Sequence, residues 1–237
     1  MGFYSIVAFF QQGGVFMYPI LLVFAVGMAI AFERWVQLNR IRGVNQKMWE
    51  MLHPALVKGE FDKAREIANK DKSSMAQMLG MGLARQGAVR RRDDIEIAME
   101  ESMMEIIPQL EKRTPYVALL ANIATLLGLL GTIMGLIEAF TAVANANPAE
   151  KADLLSASIS VAMNTTAFGL MSAIPLLLFH AKLTSTTGQI VDSLEMASVK
   201  SLNSISDFNK RHFEAKSEPP AGKQQVATQE PQLGTAS

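Results

Sequence analysis

The chain has 237 residues, 49% of them hydrophobic, with 22 basic against 22 acidic side chains and a mean hydropathy of +0.18. That apolar balance points to a membrane protein, and a charge without basic excess gives no footing for a nucleic-acid partner. With no cysteine, disulfide frameworks, thiolate metal sites and cysteine nucleophiles are excluded outright.

Residues 1–14 hold no Lys or Arg and pair aromatics with a Gln-Gln-Gly-Gly break. They suit either a short interfacial helix on the outer surface or an unstructured terminus. Val15 to Phe32, "VFMYPILLVFAVGMAIAF", carries no charge and with its flanks is long enough to cross a bilayer. We place this first span at 15–36. Glu33 and Arg34 follow it where a signal peptide would have its basic flank in front, so the span is read as retained.

Residues 37–114 are polar and too long for a simple loop. Apolar residues three and four apart between charges, as in "EFDKAREIANK" and "RRDDIEIAMEESMMEIIPQLEKR", predict a helical domain, with Asp93 and Asp94 in a first turn and Pro108 bending or dividing the last helix. Arg90, Arg91 and Arg92 fall short of a polybasic cluster and read as a solvated helix start or a small lipid- or partner-facing patch.

The second span is expected at 115–145 and the third at 158–183, joined by residues 146–157. Beyond them, 184–215 should be helical, and 216–237, rich in Pro, Gln, Ser and Ala, disordered. Basic residues cluster after span one (Arg34, Arg40, Arg42), before span two (Lys112, Arg113) and after span three (Lys182). Those flanks, the 37–114 domain and the C-terminus are therefore cytoplasmic and the N-terminus lies outside. The fold class is all-α.

Thr125, Gly128, Thr132, Gly135 and Ala139 recur at spacings of three and four in span two, predicting one stripe of small residues for close packing, with Gly131 and Gly135 adding a pair at an angle. In span three a similar stripe runs through Ser158, Ala162, Thr165 or Thr166, Gly169 and Ser172 or Ala173. Hydroxyls in such stripes can simply bond back to their own helix. Asn164, Thr165, Thr166 and the midspan Thr132 together bring more polar capacity than packing requires, which at membrane depth marks a pathway. Glu138 lies roughly 9 Å further along span two and reads either as a carboxylate reaching the outer surface or as an acid at the mouth of an ion path.

Enzymatic readings fare poorly. His53, His180 and His212 have no Asp, Glu or Cys at metal-ligand spacing, and no phosphate-binding glycine loop or nucleophile elbow is present. No cofactor is expected.

"GLLGTIMGLIEAF" (128–140) and "NTTAFGLMSAIP" (164–175) resemble the second and third membrane helices of the ExbB, TolQ and MotA family of ion-channel motor subunits, and "GGVFMYPILLVFAVGMAIAFER" (13–34) resembles the family's first helix. The resemblance covers nearly the whole chain to about Ser206 and is closest to the ExbB and TolQ type. It implies a bacterial inner-membrane protein with a periplasmic N-terminus. It also implies a pentameric ring around a dimer of a single-span ExbD- or TolR-type partner bearing an aspartate at membrane depth. The work done would be envelope work fuelled by proton or sodium motive force: energising TonB-like proteins in the ExbB version, or envelope integrity in the TolQ version. The family's pore threonines fall on Thr132 and Thr166. A non-conducting scaffold ring is the rival from another class.

Two positions depart from the family pattern. Val161 stands where ExbB and TolQ have a glutamate early in the third helix, while an acid appears at Glu138 instead. Thr165 stands where proton-type relatives have alanine, and its pairing with Thr166 resembles the sodium-driven stators. Two adjacent hydroxyls and a partner carboxylate would offer a hard cation oxygen ligands, so Thr165 and Thr166 are expected sodium ligands, with Asn164 tuning the ion.

Overall fold

A computed structural model describes residues 13–86 and 92–217, and among these the elements are six helices: α1 (Met17–Lys58), α2 (Phe61–Asn69), α3 (Ser74–Arg85), α4 (Arg92–Glu111), α5 (Thr114–Asn145) and α6 (Lys151–Ser217). Three segments, within α1, α4–α5 and α6, are long and apolar enough to cross a membrane. Helix is the form an open chain must take there, because lipid offers no partner to an exposed peptide group.

The helices do not stop where their apolar runs stop. α1 continues 22 residues beyond the expected boundary at 36, and α6 is one unbroken helix of 67 residues, about 100 Å long. α6 also takes up the second half of the connection expected at 146–157. α1 ends at Gly59, whose left-handed φ of 76° lets its N–H reach the carbonyls of Ala55 and Leu56. The Phe208 ring occupies the space a β-carbon would need there, so both backbone and packing require glycine.

Three rods pack in fixed register. α6 runs antiparallel to α4 and α5 through the pairs Arg92–Asn203, Met99–Ser198, Gly128–Gly169 and Gly135–Ala162. It runs parallel to α1 through Gly14–Val161, Gly27–Leu176 and Gly59–Phe208. α2 and α3 fold back on the polar end of this bundle. Met75, Met78, Leu79 and Leu83 of α3 join Leu52 and Leu56 of α1 and Phe61 and Ala64 of α2 in one buried cluster that continues into the rods. Ser73 caps α3 by accepting from the Ala76 N–H at 3.3 Å, and Arg65 holds the carbonyls of Leu83 and Gln86 at its other end at 2.7 and 3.0 Å. The 37–114 segment is therefore helical as expected, but shares its core with the spans.

Asp93 and Asp94 lie in the first turn of α4, where carboxylates oppose the positive helix end. Pro108 does not divide that helix, which runs on to Glu111. The division comes at Arg113, whose φ of 67° turns the chain into α5. Span one braces this junction: Arg113 Nη1 donates to Glu33 Oε1 at 2.7 Å, and Arg34, 2% exposed, donates to the Leu110 carbonyl and, at 2.7 Å, to Gln37 Oε1. A buried guanidinium thus meets one of the carbonyl oxygens at the end of α4, that of Leu110. The N-terminal residues 1–12, Arg90, Arg91 and the tail from 218 lie outside the described residues.

Candidate functional site

α5 and α6 approach so closely because glycine and alanine meet glycine and alanine. A β-carbon at Gly169 would stand 2.8 Å from the Ala124 carbonyl oxygen and 3.0 Å from Gly128 Cα; one at Gly128 would meet Gly169 Cα at 3.3 Å and Thr166 Cα at 3.4 Å. Gly135 lies against Ala162, and Gly131 against the Thr165 methyl. The buried stripe of α5 is thus Ala121, Ala124, Gly128, Gly131 and Ala139, with Gly135 half-buried. The stripe expected from spacing alone is corrected: Thr125 is exposed and Thr132 half-buried, so both sit beside the seam rather than in it. Spacings of three and four define two neighbouring stripes on any helix, and the smaller residues took the seam.

The polar side chains of span three separate accordingly. Thr165 is 2% exposed, and its Oγ1 donates toward the Gly13 carbonyl at 2.6 Å and the Val161 carbonyl at 3.0 Å. Thr166 turns the other way and donates to the Gly128 carbonyl of α5 at 2.9 Å. Thr132 Oγ1 donates to the Leu129 carbonyl at 2.6 Å. Thr132 and Thr166, both singled out in the sequence, thus rest their hydroxyls on the carbonyls of consecutive residues of one helix. Asn164 is half-buried, and Glu138 is exposed on α5 toward its far end.

This arrangement has a definite chemical polarity. A hydroxyl has one proton to give and two lone pairs to offer. With their protons given to backbone carbonyls, Thr132 and Thr166 present acceptor oxygens. Such oxygens can receive a proton donor or ligate a hard cation; to bind an ionised carboxylate each hydroxyl must first turn its proton away from its carbonyl. Among the described residues no cluster of His, Asp or Glu could hold a metal ion.

Two parts of the arrangement escape sequence reasoning. The Gly13 carbonyl comes from a turn before the first span and nothing in its type marks it. Arg34 reads in the sequence only as a basic flank, although its burial against Leu110 joins span one to the start of span two. The division of the "NTT" run, by contrast, follows from helix geometry, since neighbours on a helix point about 100° apart.

The sequence profile of the MotA/TolQ/ExbB proton channel family matches residues 70–196. A Synechocystis protein named as an ExbB-like biopolymer transport protein is 30% identical over 190 residues, covering 77% of this chain and 72% of its own. The Tol-Pal system protein TolQ of Haemophilus influenzae is 35% identical over 86 residues, 36% of this chain and 37% of its own. Among solved structures, that of C. jejuni MotAB is matched at 19% identity over 93% of this chain and 94% of that one, with a TM-score of 0.45, too low for the overall likeness to bear on the fold. The family profile, matched over more than half of the chain, and the 30% identical relative point the same way: this chain belongs to the MotA/TolQ/ExbB proton channel family, whose members are channel and motor subunits, not enzymes.

Proposed function

We propose that this chain is the ring-forming subunit of an inner-membrane motor, a pentamer around a dimer of an ExbD- or TolR-type single-span protein. The motor converts proton or sodium motive force into mechanical work on the cell envelope, in the first instance on a TonB-like protein. The observation that carries the reading is the pair Thr132 and Thr166, their protons committed to the carbonyls of Leu129 and Gly128.

This polarity makes the pair sensitive to the charge of a partner aspartate at the same depth. A neutralised carboxylic acid donates to the threonines and docks; an ionised one docks less well, because each hydroxyl must give up its carbonyl to donate to it, and a sodium ion between them restores attraction. Ion arrival from the periplasmic side thus favours docking and release to the cytoplasm disfavours it. With unequal numbers of ring and partner subunits, the two aspartates alternate and the partner rotates. The large exposed apolar side chains of the spans, such as Leu22, Leu126, Phe140 and Leu178, suit a surface meeting lipid and neighbouring subunits. The test is ion uptake into vesicles holding this chain and its partner, with sodium and pH varied separately at fixed potential. Uptake that follows neither ion overturns the motor in favour of a scaffold ring.

Thr165 takes a different role in this reading. Its hydroxyl ties the turn before span one to span three, and its methyl fills the notch at Gly131, which fixes the rotation of α6 and hence the aim of Thr166. A sodium requirement would then rest on Thr166 and the partner carboxylate. Thr165→Val keeps the shape and loses the hydrogen bond, so its expected effect is a loss of thermal stability of about 1 kcal/mol with the ion dependence unchanged. Uptake that switches from sodium to proton in this variant, with assembly intact, would make Thr165 an ion ligand instead.

A further inference from the structure

Beyond the spans, α1, α3, α4 and α6 form a four-cornered bundle. α6 touches α1 through Phe208 at Gly59 and α4 through Ser198 at Met99. α3 touches α1 through the Met75 N–H, donated to Asn45 Oδ1 at 3.2 Å, and α4 through Gly82, which lies against Met99 and Ile95. α1 and α4 therefore stand at opposite corners, and their outer faces look in different directions.

Those faces are patterned alike and charged oppositely. Along α1, Arg40, Val44, Lys47, Met51 and Lys58 are exposed and fall three, four or seven residues apart, which puts them on one stripe of the helix. Along α4 the same spacing joins Ile97, Glu101, Met104 and Glu111, also exposed. From Arg40 to Lys58, α1 carries four basic side chains and one acidic, whereas α4 carries seven acidic and one basic. Among the described residues neither Lys47 nor Glu101 has an ion-pair partner.

The heights agree as well. By the contacts Gly27–Leu176 and Gly59–Phe208, Val44, Lys47 and Met51 stand level with Ser193, Met196 and Lys200 of α6. By Met99–Ser198, those three stand level with Met104, Glu101 and Ile97 of α4. Copies of one chain held by the same three spans sit at equal depth in a bilayer, so only residues of equal height can meet. Valine then faces methionine, lysine faces glutamate, and methionine faces isoleucine.

We propose that the α1 face of one copy docks on the α4 face of the next, a head-to-tail contact that rests on the ring reading above and names the surfaces that close the ring outside the membrane. Such a contact needs two different, complementary faces on each copy, whereas a two-fold dimer needs one self-complementary face. Lipid does not account for the α1 face, because Lys47 and Met51 lie about 16 and 22 Å beyond the expected end of the first span at residue 36, past a headgroup layer of roughly 5 to 8 Å. Nor would docking of a foreign protein require heights to match within this chain.

The chain has no cysteine, so a pair can be introduced cleanly. The full chain carrying Val44→Cys and Met104→Cys, oxidised in vesicles, should give a ladder of disulfide-linked multimers, since outward faces at opposite corners of one bundle are beyond disulfide reach. Either cysteine alone should give none. Lys47→Glu or Glu101→Lys, added to the cysteine pair, should cut the ladder about fivefold by setting like charges together, and the two combined should restore it. All four positions are exposed, so the unfolding temperature should stay unchanged. The mass of the purified chain in detergent separates this contact from the ring itself. A ring without the ladder overturns the docking and leaves the ring standing; a monomer overturns both. Dimers from a single-cysteine variant, or a ladder that neither charge reversal reduces, also overturn it.

Discussion

Thr166→Val abolishes ion uptake by the assembled complex while the chain remains folded: this is the largest functional effect expected from one methyl-for-hydroxyl exchange. The substitution keeps the shape at the seam and removes one interhelical hydrogen bond, the 2.9 Å contact to the Gly128 carbonyl. Such bonds contribute about 0.6 kcal/mol on average within a bilayer, too little to unfold a three-rod bundle. Loss of uptake therefore reports the pathway rather than the fold. Thr132→Val should behave alike, and Thr166→Ser should restore uptake because the acceptor oxygen returns. Uptake surviving in both valine variants would remove the threonine pair from the mechanism and leave a scaffold ring. Failure of both to assemble would also favour the scaffold.

The largest structural effect is expected at Gly169. A side chain there meets the backbone at Ala124 and Gly128, at 2.8 and 3.0 Å, and backbone cannot move aside as a flexible side chain can. The two helices must separate, which also stretches the Thr166 bond and lifts Thr165 out of its notch. Gly169→Val should destabilise the chain by at least the 1–3 kcal/mol, roughly, of an ordinary overpacked core, and the loss should appear as a lowered unfolding temperature in detergent. Gly169→Ala should cost more than Gly128→Ala, whose nearest contacts are at 3.3 and 3.4 Å. A β-carbon at Gly43 or Gly188 would meet nothing within 4 Å, so alanine at either should be tolerated and can raise helix stability by about 1 kcal/mol. An unchanged unfolding temperature in Gly169→Val would show that the seam is looser than these distances.

Several of these features are legible in the sequence because they follow from constraints that act residue by residue. A run of apolar residues of bilayer length has almost no alternative to helix, which is why the three spans can be found in order. Helix ends are less legible. Nothing in "VQLNRIRGVNQKMW" tells a helix to stop, so α1 runs on to Gly59, where the required left-handed turn is a local signal too weak to weigh without Phe208 beside it. Thr132 and Thr166 can be singled out from the motif and from their depth. That Thr166 gives its proton to the Gly128 carbonyl cannot be foreseen, since it depends on how closely α5 and α6 approach, whereas Thr132 bonds back to its own helix at Leu129 as a hydroxyl in a small-residue stripe can. Asn45 carries no signal, as a lone amide in a polar helix usually faces water.

The fixed register along α6 has a consequence for how such a chain can change length. Removing one residue between the seam at Gly169 and the contact at Ser198 would turn everything beyond it by about 100° and draw it back by about 1.5 Å. The contacts with α1 at Gly59 and with α4 at Met99 and Arg92 would then be missed together. Single insertions and deletions should therefore be rejected along this helix and accepted in the exposed turn between Asn145 and Lys151, where no partner counts residues. Relatives of different length would be expected to differ in such turns, or by whole helical repeats applied to all three rods at once.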